Sequence, residues 1–279
     1  MTRVLVTGAA GQVGRELVEA LAGHDVIAPD RDLLDVSARD AVLAAVTELG
    51  PQVIVHTAAW TAVDACEGDP DRAFAVNALG TRHIAEGARR VGAHVCYLST
   101  DYVFDGTQAT PYREWDAPNP LSVYGASKLA GEQALGPEAT IVRTSWVSGR
   151  YGTNMVKTVL RQAGERDELT FVDDQRGHPT FAADLAPMVA RLALERAAGT
   201  FHVTNQGAVS WFEFAGAVLA AAGLDPARVR PVSTAELDPP RAAPRLVNSV
   251  LDNAALRLAG IPVLPDFHES LTRLVEDLR

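Results

Sequence analysis

The first half of the chain alternates apolar runs of strand length with amphipathic stretches of helix length. "RVLVT" (3–7), "DVIAPD" (25–30), "QVIVHTAA" (52–59), "HVCYLST" (94–100) and "ATIVRTSW" (139–146) read as strands. "QVGRELVEALAGH" (12–24) has helical periodicity, and "ARDAVLAAVTELG" (38–50) is a helix stopped by Gly50 and Pro51. "DPDRAFAVNALGTRHIAEGARRVG" (69–92) is expected to be one long helix, acidic at its start and arginine-rich at its end, as the helix dipole favours. Strands alternating with helices predict a parallel sheet covered on both faces. The expected fold class is therefore α/β, a Rossmann-type doubly wound parallel sheet followed by a smaller C-terminal α/β substrate-binding domain. Regularity fades after Trp146: "DPPRAAPRLVNS" (238–249) reads as loop, and "SWFEFAGAVLAAAGL" (210–224) and "HESLTRLVEDLR" (268–279) read as helices. The expected division is a dinucleotide-binding domain over 1–146, rejoined by a segment near 170–205, and a mainly substrate-binding domain over 147–279.

Composition narrows the class. The chain has 279 residues, 47% of them hydrophobic, with a formal net charge of −10. That charge argues against a nucleic-acid or anionic-membrane partner, and no apolar run reaches spanning length. The N-terminus lacks signal-peptide organisation, so a cytoplasmic protein is expected. Cys66 and Cys96 form neither a CxxC nor a metal-ligand spacing and read as buried free thiols. His24, His94 and His202 read as structural, and no metal-ligand pattern or G-x-S-x-G is present.

Gly8, Gly11 and Gly14 form G-x-x-G-x-x-G directly after the first strand and before a helix. Glycines there permit a tight turn and the approach of backbone N–H groups to a pyrophosphate at the helix N-terminus, so a dinucleotide, NADPH or NADH, is the expected cofactor. The second strand ends in "PDRDLLDV". Asp30 suits the ribose of NAD and Arg31 the 2′-phosphate of NADP, which leaves the preference open. Asp35, in the following loop, falls beside the adenine. Small Ala58 and Ala59 after the third strand fit either tight packing or close passage of a flat cofactor. Asn77 either braces a neighbouring strand or touches ligand.

The fourth strand ends in "LSTDYVFDG", at the sheet edge where ligands of open α/β sheets bind. Ser99 and Thr100 could hydrogen-bond a carbonyl oxygen there, or simply cap the strand end. "YGASK" places Tyr124 and Lys128 on one face of a helix, a turn apart. Lysine is rare here: 23 of the 25 basic residues are arginine. A phenol acting as acid–base near neutral pH needs its phenolate favoured by nearby positive charge. A compact ammonium provides that, and also reaches a ribose hydroxyl where a guanidinium fits poorly.

Together the glycine turn, "STDYVFDG" and "YGASKLAGE" resemble the extended short-chain dehydrogenase/reductase superfamily. "AAWTAVDACEGDPDRAFAVNALG", "RTSWVSG", "DDQRGHPTFAADLA" and "NSVLD" extend the resemblance, nearly end to end, to the dTDP-4-dehydrorhamnose reductase family. The resemblance implies NAD(P)H-dependent reduction of a nucleotide-sugar ketone at C4. It makes Tyr124 the proton donor, Lys128 the residue that lowers its pKa and holds the nicotinamide ribose, and Thr100 a hydrogen-bond partner of the reacting oxygen or of Tyr124. It places Gly11, Gln12 and Val13 at the pyrophosphate, and Asp30, Arg31, Ala58, Ala59 and Trp60 along the cofactor. It puts Asp101 and Trp146 at the sugar nucleotide and makes Asn154 the cap of a helix facing the substrate diphosphate. Three positions depart from the family pattern: Trp60 replaces the usual tyrosine, His56 a common asparagine, and Arg245 is followed by Leu246 rather than proline. Some members bind Mg²⁺ at a dimer interface through acidic clusters. No such ligands are identifiable here, which leaves Mg²⁺ and a homodimer open. The alternatives are another nucleotide-sugar 4-ketoreductase of deoxysugar biosynthesis and a non-catalytic regulatory subunit of the same fold.

Overall fold

The computed structural model describes residues 1–279. The first half runs β1 (Arg3–Thr7), α1 (Gln12–Ala20), β2 (Asp25–Ile27), α2 (Arg39–Leu49), β3 (Val53–His56), α3 (Val63–Gly68), α4 (Pro70–Phe74), a π-helical turn (Ala75–Leu79), α5 (Gly80–Val91) and β4 (His94–Thr100). Next come a 3₁₀ turn (Asp101–Val103), α6 (Val123–Gln133), β5 (Thr140–Thr144), β6 (Val147–Ser148), α7 (Met155–Glu165), β7 (Leu169–Val172), β8 (Arg176–Gly177), β9 (Thr180–Phe181), α8 (Ala182–Leu194) and β10 (Gly199–His202). The C-terminal part holds β11 (Val209–Ser210), α9 (Trp211–Ala221), β12 (Val229–Val232), α10 (Ala254–Leu258) and α11 (Phe267–Asp277).

Six strands form one parallel sheet in the order β2-β1-β3-β4-β5-β10. The central strands β1 and β3 are buried on both faces, which is why they read as unbroken apolar runs. Helices α1 and α8 cover one face, around Leu17, Val55, Leu185 and Val189. On the other face α2 and α5 pack around Ile54, Val46 and Ile84, and α6 lies against β4. A separate apolar core, built on Phe214 and Phe267, joins α7, α9 and α11 to the short parallel pair β7–β12.

The expected long helix over 69–92 runs without a break from Pro70 to Val91, with one π-helical turn between α4 and α5. The wide turn carries Asn77, fully buried, toward β3 and α6. The strand order reverses between β1 and β3, where open α/β sheets form their ligand crevice. Gly8 ends β1 at that point with φ +72°, and a Cβ there would stand 2.6 Å from the Ala58 nitrogen. Both its backbone angle and the approach of Ala58 require glycine. No helix is long and apolar enough to cross a membrane.

Candidate active site

A cleft of about 730 Å³ opens at the carboxyl edge of the sheet. Its floor is the glycine turn and the ends of β3 and β4, and its far wall is Trp146, Val147, Gly152 and Trp211. Gly8, Gly11, Gln12, Val13, Asp30, Arg31, Asp35, Ala58, Ala59, Trp60, Thr100, Asp101, Tyr124, Lys128 and Trp146 all line it. Asn154 does not. It caps α7 by accepting from the Lys157 N–H, and its amide donates to the Gly149 carbonyl and, at 3.1 Å, to Gln12 Oε1. Its link to the cleft runs through Gln12.

At one end of the cleft α1 begins at Gly11 with no side-chain cap and no acidic residue in its first turn. The first N–H groups of the helix have no partner within it. A nearby Cβ at position 14 would meet the Gly8 carbonyl at 2.2 Å, so only glycine lets the turn close this tightly. This cradle of backbone donors at a positive helix end fits a pyrophosphate. Beyond β2, the Asp30 carboxylate caps the Leu33 N–H, and the Asp35 carboxylate accepts from the Ser37 N–H and hydroxyl. The Arg31 side chain is 71% exposed and its ion pair with Asp35 is long, at 3.9 Å, leaving its guanidinium free to pair with an anion.

Asn77 is a brace. Its Oδ1 accepts from the Trp60 N–H, and its Nδ2 donates to the Trp60 carbonyl and to Ser127 Oγ on α6. This clamp fixes Trp60, whose ring carries the Arg72 guanidinium 4.4 Å above it. His56 lies beneath, fully buried, with Nδ1 hydrogen-bonded to Thr7 Oγ1 and Nε2 to Thr81 Oγ1. Burial and the Lys128 charge lower it to about 3, so it is a neutral ring with both nitrogens satisfied.

Tyr124, 8% exposed, sits in the first turn of α6. The helix is set by Ser122, which caps the Gly125 N–H, and by Glu67, which accepts from the Val123 N–H. Its glycines determine how deeply it seats: a Cβ at Gly125 would stand 2.1 Å from the Tyr102 carbonyl oxygen. Burial raises the Tyr124 phenol above its usual range, the Thr100 hydroxyl opposes this, and Asp101, Tyr102 and Cys66 add to the rise. Lys128, expected to acidify this phenol, lies one turn further along α6. Its Nζ donates to the Leu98 carbonyl at 2.8 Å and lies over the Tyr97 ring. Burial brings Lys128 down to about 7, with Glu132 pulling the other way.

Several residues of the site escaped the sequence reading. Glu132 stands one turn beyond Lys128 and is fixed by Arg143 through two hydrogen bonds and by the Ser99 hydroxyl. The i, i+4 spacing from Lys128 in "KLAGE" was its available signal. Trp211 stacks on Trp146, rings 3.6 Å apart and 10° from parallel, and nothing in "SWFEF" announces that. Thr144 ends β5 directly beside Thr100, so the edge-of-sheet argument that found Thr100 applies to it equally. No three His, Cys, Asp or Glu side chains converge as a metal site.

The whole chain, residues 1–279, matches the family model described as the RmlD substrate binding domain. It is 44% identical over 281 residues to a dTDP-4-dehydrorhamnose reductase of Streptomyces griseus, spanning 97% of this chain and 92% of that protein. It is 40% identical to a dTDP-4-keto-6-deoxy-D-glucose reductase of Streptomyces niveus, spanning 97% and 96%. Among solved structures, a dTDP-4-dehydrorhamnose reductase of Bacillus anthracis in complex with NADP superposes with a TM-score of 0.95 at 42% identity, covering 99% of each chain.

Proposed function

The chain belongs to the RmlD substrate binding domain family, and from that premise we propose how its cleft performs the reaction and which residues carry it. It is an NAD(P)H-dependent oxidoreductase that reduces the C4 ketone of dTDP-4-dehydro-6-deoxy-L-mannose to give dTDP-L-rhamnose. The observation that carries the mechanism is the convergence of Thr100, Tyr124 and Lys128 on one cleft with an uncapped helix N-terminus at its other end.

The bound dihydronicotinamide supplies a hydride to the ketone carbon. The chain supplies alignment, the proton and stabilisation of charge. Tyr124 starts protonated, because burial favours the neutral phenol, and gives that proton to the ketone oxygen as charge develops there. Thr100, whose hydroxyl donates to Asp101 Oδ1 at 2.9 Å, turns that one donor to the same oxygen. Lys128, the one lysine in the cleft, balances the phenolate that results and holds the nicotinamide ribose. The first turn of α1, with Gln12 and Val13 behind Gly11, holds the pyrophosphate. Ala58, Ala59 and the clamped Trp60 flank the cofactor. Asp101 and Trp146 receive the sugar nucleotide.

NADPH is the preferred cofactor in this reading. The Asp30 carboxylate is engaged by its own loop, whereas Arg31 is free to pair with a 2′-phosphate. A second sugar specificity is favoured by one observation, the similarity to a reductase of dTDP-4-keto-6-deoxy-D-glucose. Incubating the protein with each dTDP-4-keto sugar, with NADPH and NADH in parallel, and identifying the product by NMR tests both points. dTDP-L-rhamnose formed faster with NADPH is the expected result. A product of different C4 configuration, or no nicotinamide oxidation, would overturn the reading.

A further inference from the structure

Three cations line the cleft: Arg31, Arg72 and Lys128. The reaction uses Arg31 beyond β2 and Lys128 on α6, and Arg72 is left over. It stands on α4, where its backbone N–H donates to Asp69 Oδ1. Its guanidinium pairs with no carboxylate and lies over the Trp60 ring, 4.4 Å from the centroid. Arg245, near the same rim, is by contrast taken by Asp64 at 2.6 Å. A guanidinium stacked on an indole engages only its face, and the N–H groups around its edge stay available. The platform is fixed, because Asn77 holds Trp60 by both its backbone N–H and its carbonyl. Trp60 also stands where tyrosine is usual, and indole is the best aromatic platform for a cation.

Position decides which anion this arginine meets. Val76, one turn on, lines the cleft as well and packs against the same core as Leu34, Val36 and Ala58. That face of the helix therefore overlooks the half of the cleft between the glycine turn and the end of β2. Trp146 and Trp211 wall the opposite half. Asp30 and Asp35 line the first half, in a chain of net charge −10, so a polyanion bound there needs a cation of its own. We propose that Arg72 clamps the cofactor's pyrophosphate from the open side of the cleft, opposite the backbone cradle of α1, with the Trp60 ring as its platform. The cradle offers neutral N–H donors to one side of a group carrying two negative charges. Arg31 serves the 2′-phosphate and Lys128 the nicotinamide ribose. Arg72 adds the remaining full charge and a fork of donors, the geometry that binds phosphate oxygens most strongly.

This inference rests on the NAD(P)H-dependent reading, and equilibrium binding separates the two without turnover. Wild-type, Arg72→Leu and Arg72→Lys proteins are titrated with NADPH and NADH by nicotinamide fluorescence, and with dTDP by calorimetry. Arg72→Leu should raise the Kd of both nicotinamides by a similar factor, about tenfold, because both carry the same pyrophosphate. The Kd of dTDP should stay within about twofold. Arg72→Lys should recover part of the loss, since it keeps the charge and gives up the fork. A loss confined to NADPH would put Arg72 on the 2′-phosphate and overturn the proposal. A Kd of dTDP that rises as much as those of the nicotinamides, or rises alone, would overturn it too. Three unchanged constants would leave Arg72 a solvent-facing stack and have the same effect. A wild-type protein that binds neither nicotinamide would overturn the reductase reading itself.

Discussion

The Nζ of Lys128 lies 4.1 Å from the centre of the Tyr97 ring, and one carbonyl, that of Leu98, accepts from it. Ring face and carbonyl replace only part of an ammonium's hydration. Burial accordingly brings Lys128 from 10.5 to about 7, against the pull of Glu132. Between those two pH values the unfolded chain holds a proton that the folded chain has released. This residue therefore makes stability rise with pH across that window, and its unfavourable contribution is fully present below it. Activity has the opposite sign, because the ammonium is the form that works. kcat/KM for NADPH should fall as pH rises through about 7. Lys128→Met should lower the rate about 100-fold and abolish that limb. A profile unchanged by the substitution would remove Lys128 from the chemistry.

Tyr124→Phe removes the proton and little else. The ring is already packed edge-on against Tyr102, centroids 5.6 Å apart, and phenylalanine preserves that contact. NADPH should bind nearly as in the wild type, while kcat drops by about 10²–10⁴. Single-turnover NADPH oxidation on mixing with keto-sugar checks this. Near-normal turnover would mean that the proton comes from another group.

Arg31 decides between the two nicotinamides. Its side chain is 71% exposed and its ion pair with Asp35 is long, at 3.9 Å, so little must be broken to engage a 2′-phosphate. Arg31→Ala should raise KM for NADPH by about tenfold or more and leave KM for NADH within about twofold. Parallel steady-state measurements with both cofactors show whether the two constants separate.

Glu132 and Arg143 form an ion pair with both side chains 5% exposed. Ser99 donates to the same carboxylate, and the Arg143 guanidinium also lies over the Phe104 ring, at 5.2 Å. Removing one charge leaves the other buried without compensation. Glu132→Gln should therefore destabilise the fold by about 3–5 kcal/mol. Arg161 and Glu165 also pair, at 2.9 Å, but with side chains 61% and 52% exposed. Glu165→Gln should cost no more than about 0.5 kcal/mol. Urea denaturation of the two variants side by side measures the contrast.

What could be read from the sequence was what is local in it. The glycine turn, the end of β4 and the Tyr124–Lys128 spacing each lie within one element or junction, and steric or helical geometry ties them to a position in the fold. Asn77 shows the limit. Its residue type predicted hydrogen bonds, but its partners Trp60 and Ser127 lie on other elements, so bracing and ligand contact could not be separated. The Trp146–Trp211 stack was illegible for the same reason: it joins the segment after β5 to the start of α9, far apart in the chain. Trp146 also adopts φ +48°, a left-handed conformation that no residue pattern requires of a tryptophan. Lys128 was placed on the right face of α6, yet its engagement with Leu98 and Tyr97 depends on how deeply that helix seats.

That seating is set by Gly131. A Cβ there would come 2.5 Å from the Tyr97 hydroxyl and 2.6 Å from the Asn77 carbonyl oxygen. Alanine is intrinsically the better helix former by about 1 kcal/mol, so two effects compete. Neither obstacle can give way cheaply: Tyr97 is fully buried, and the Asn77 side chain is locked onto the Trp60 backbone. The clash should win, and Gly131→Ala should destabilise the protein by about 1–3 kcal/mol, the usual range for overpacking. Activity should fall further than stability, because lifting α6 moves Tyr124 and Lys128 together. Gly164, on the exposed side of α7, has no atom within 4 Å of its would-be Cβ. There propensity acts alone, and Gly164→Ala should stabilise by about 0.5–1 kcal/mol. Thermal melts and steady-state rates of both variants test the pair. A Gly131→Ala protein as stable and active as the wild type would show that this glycine does not fix the depth of α6.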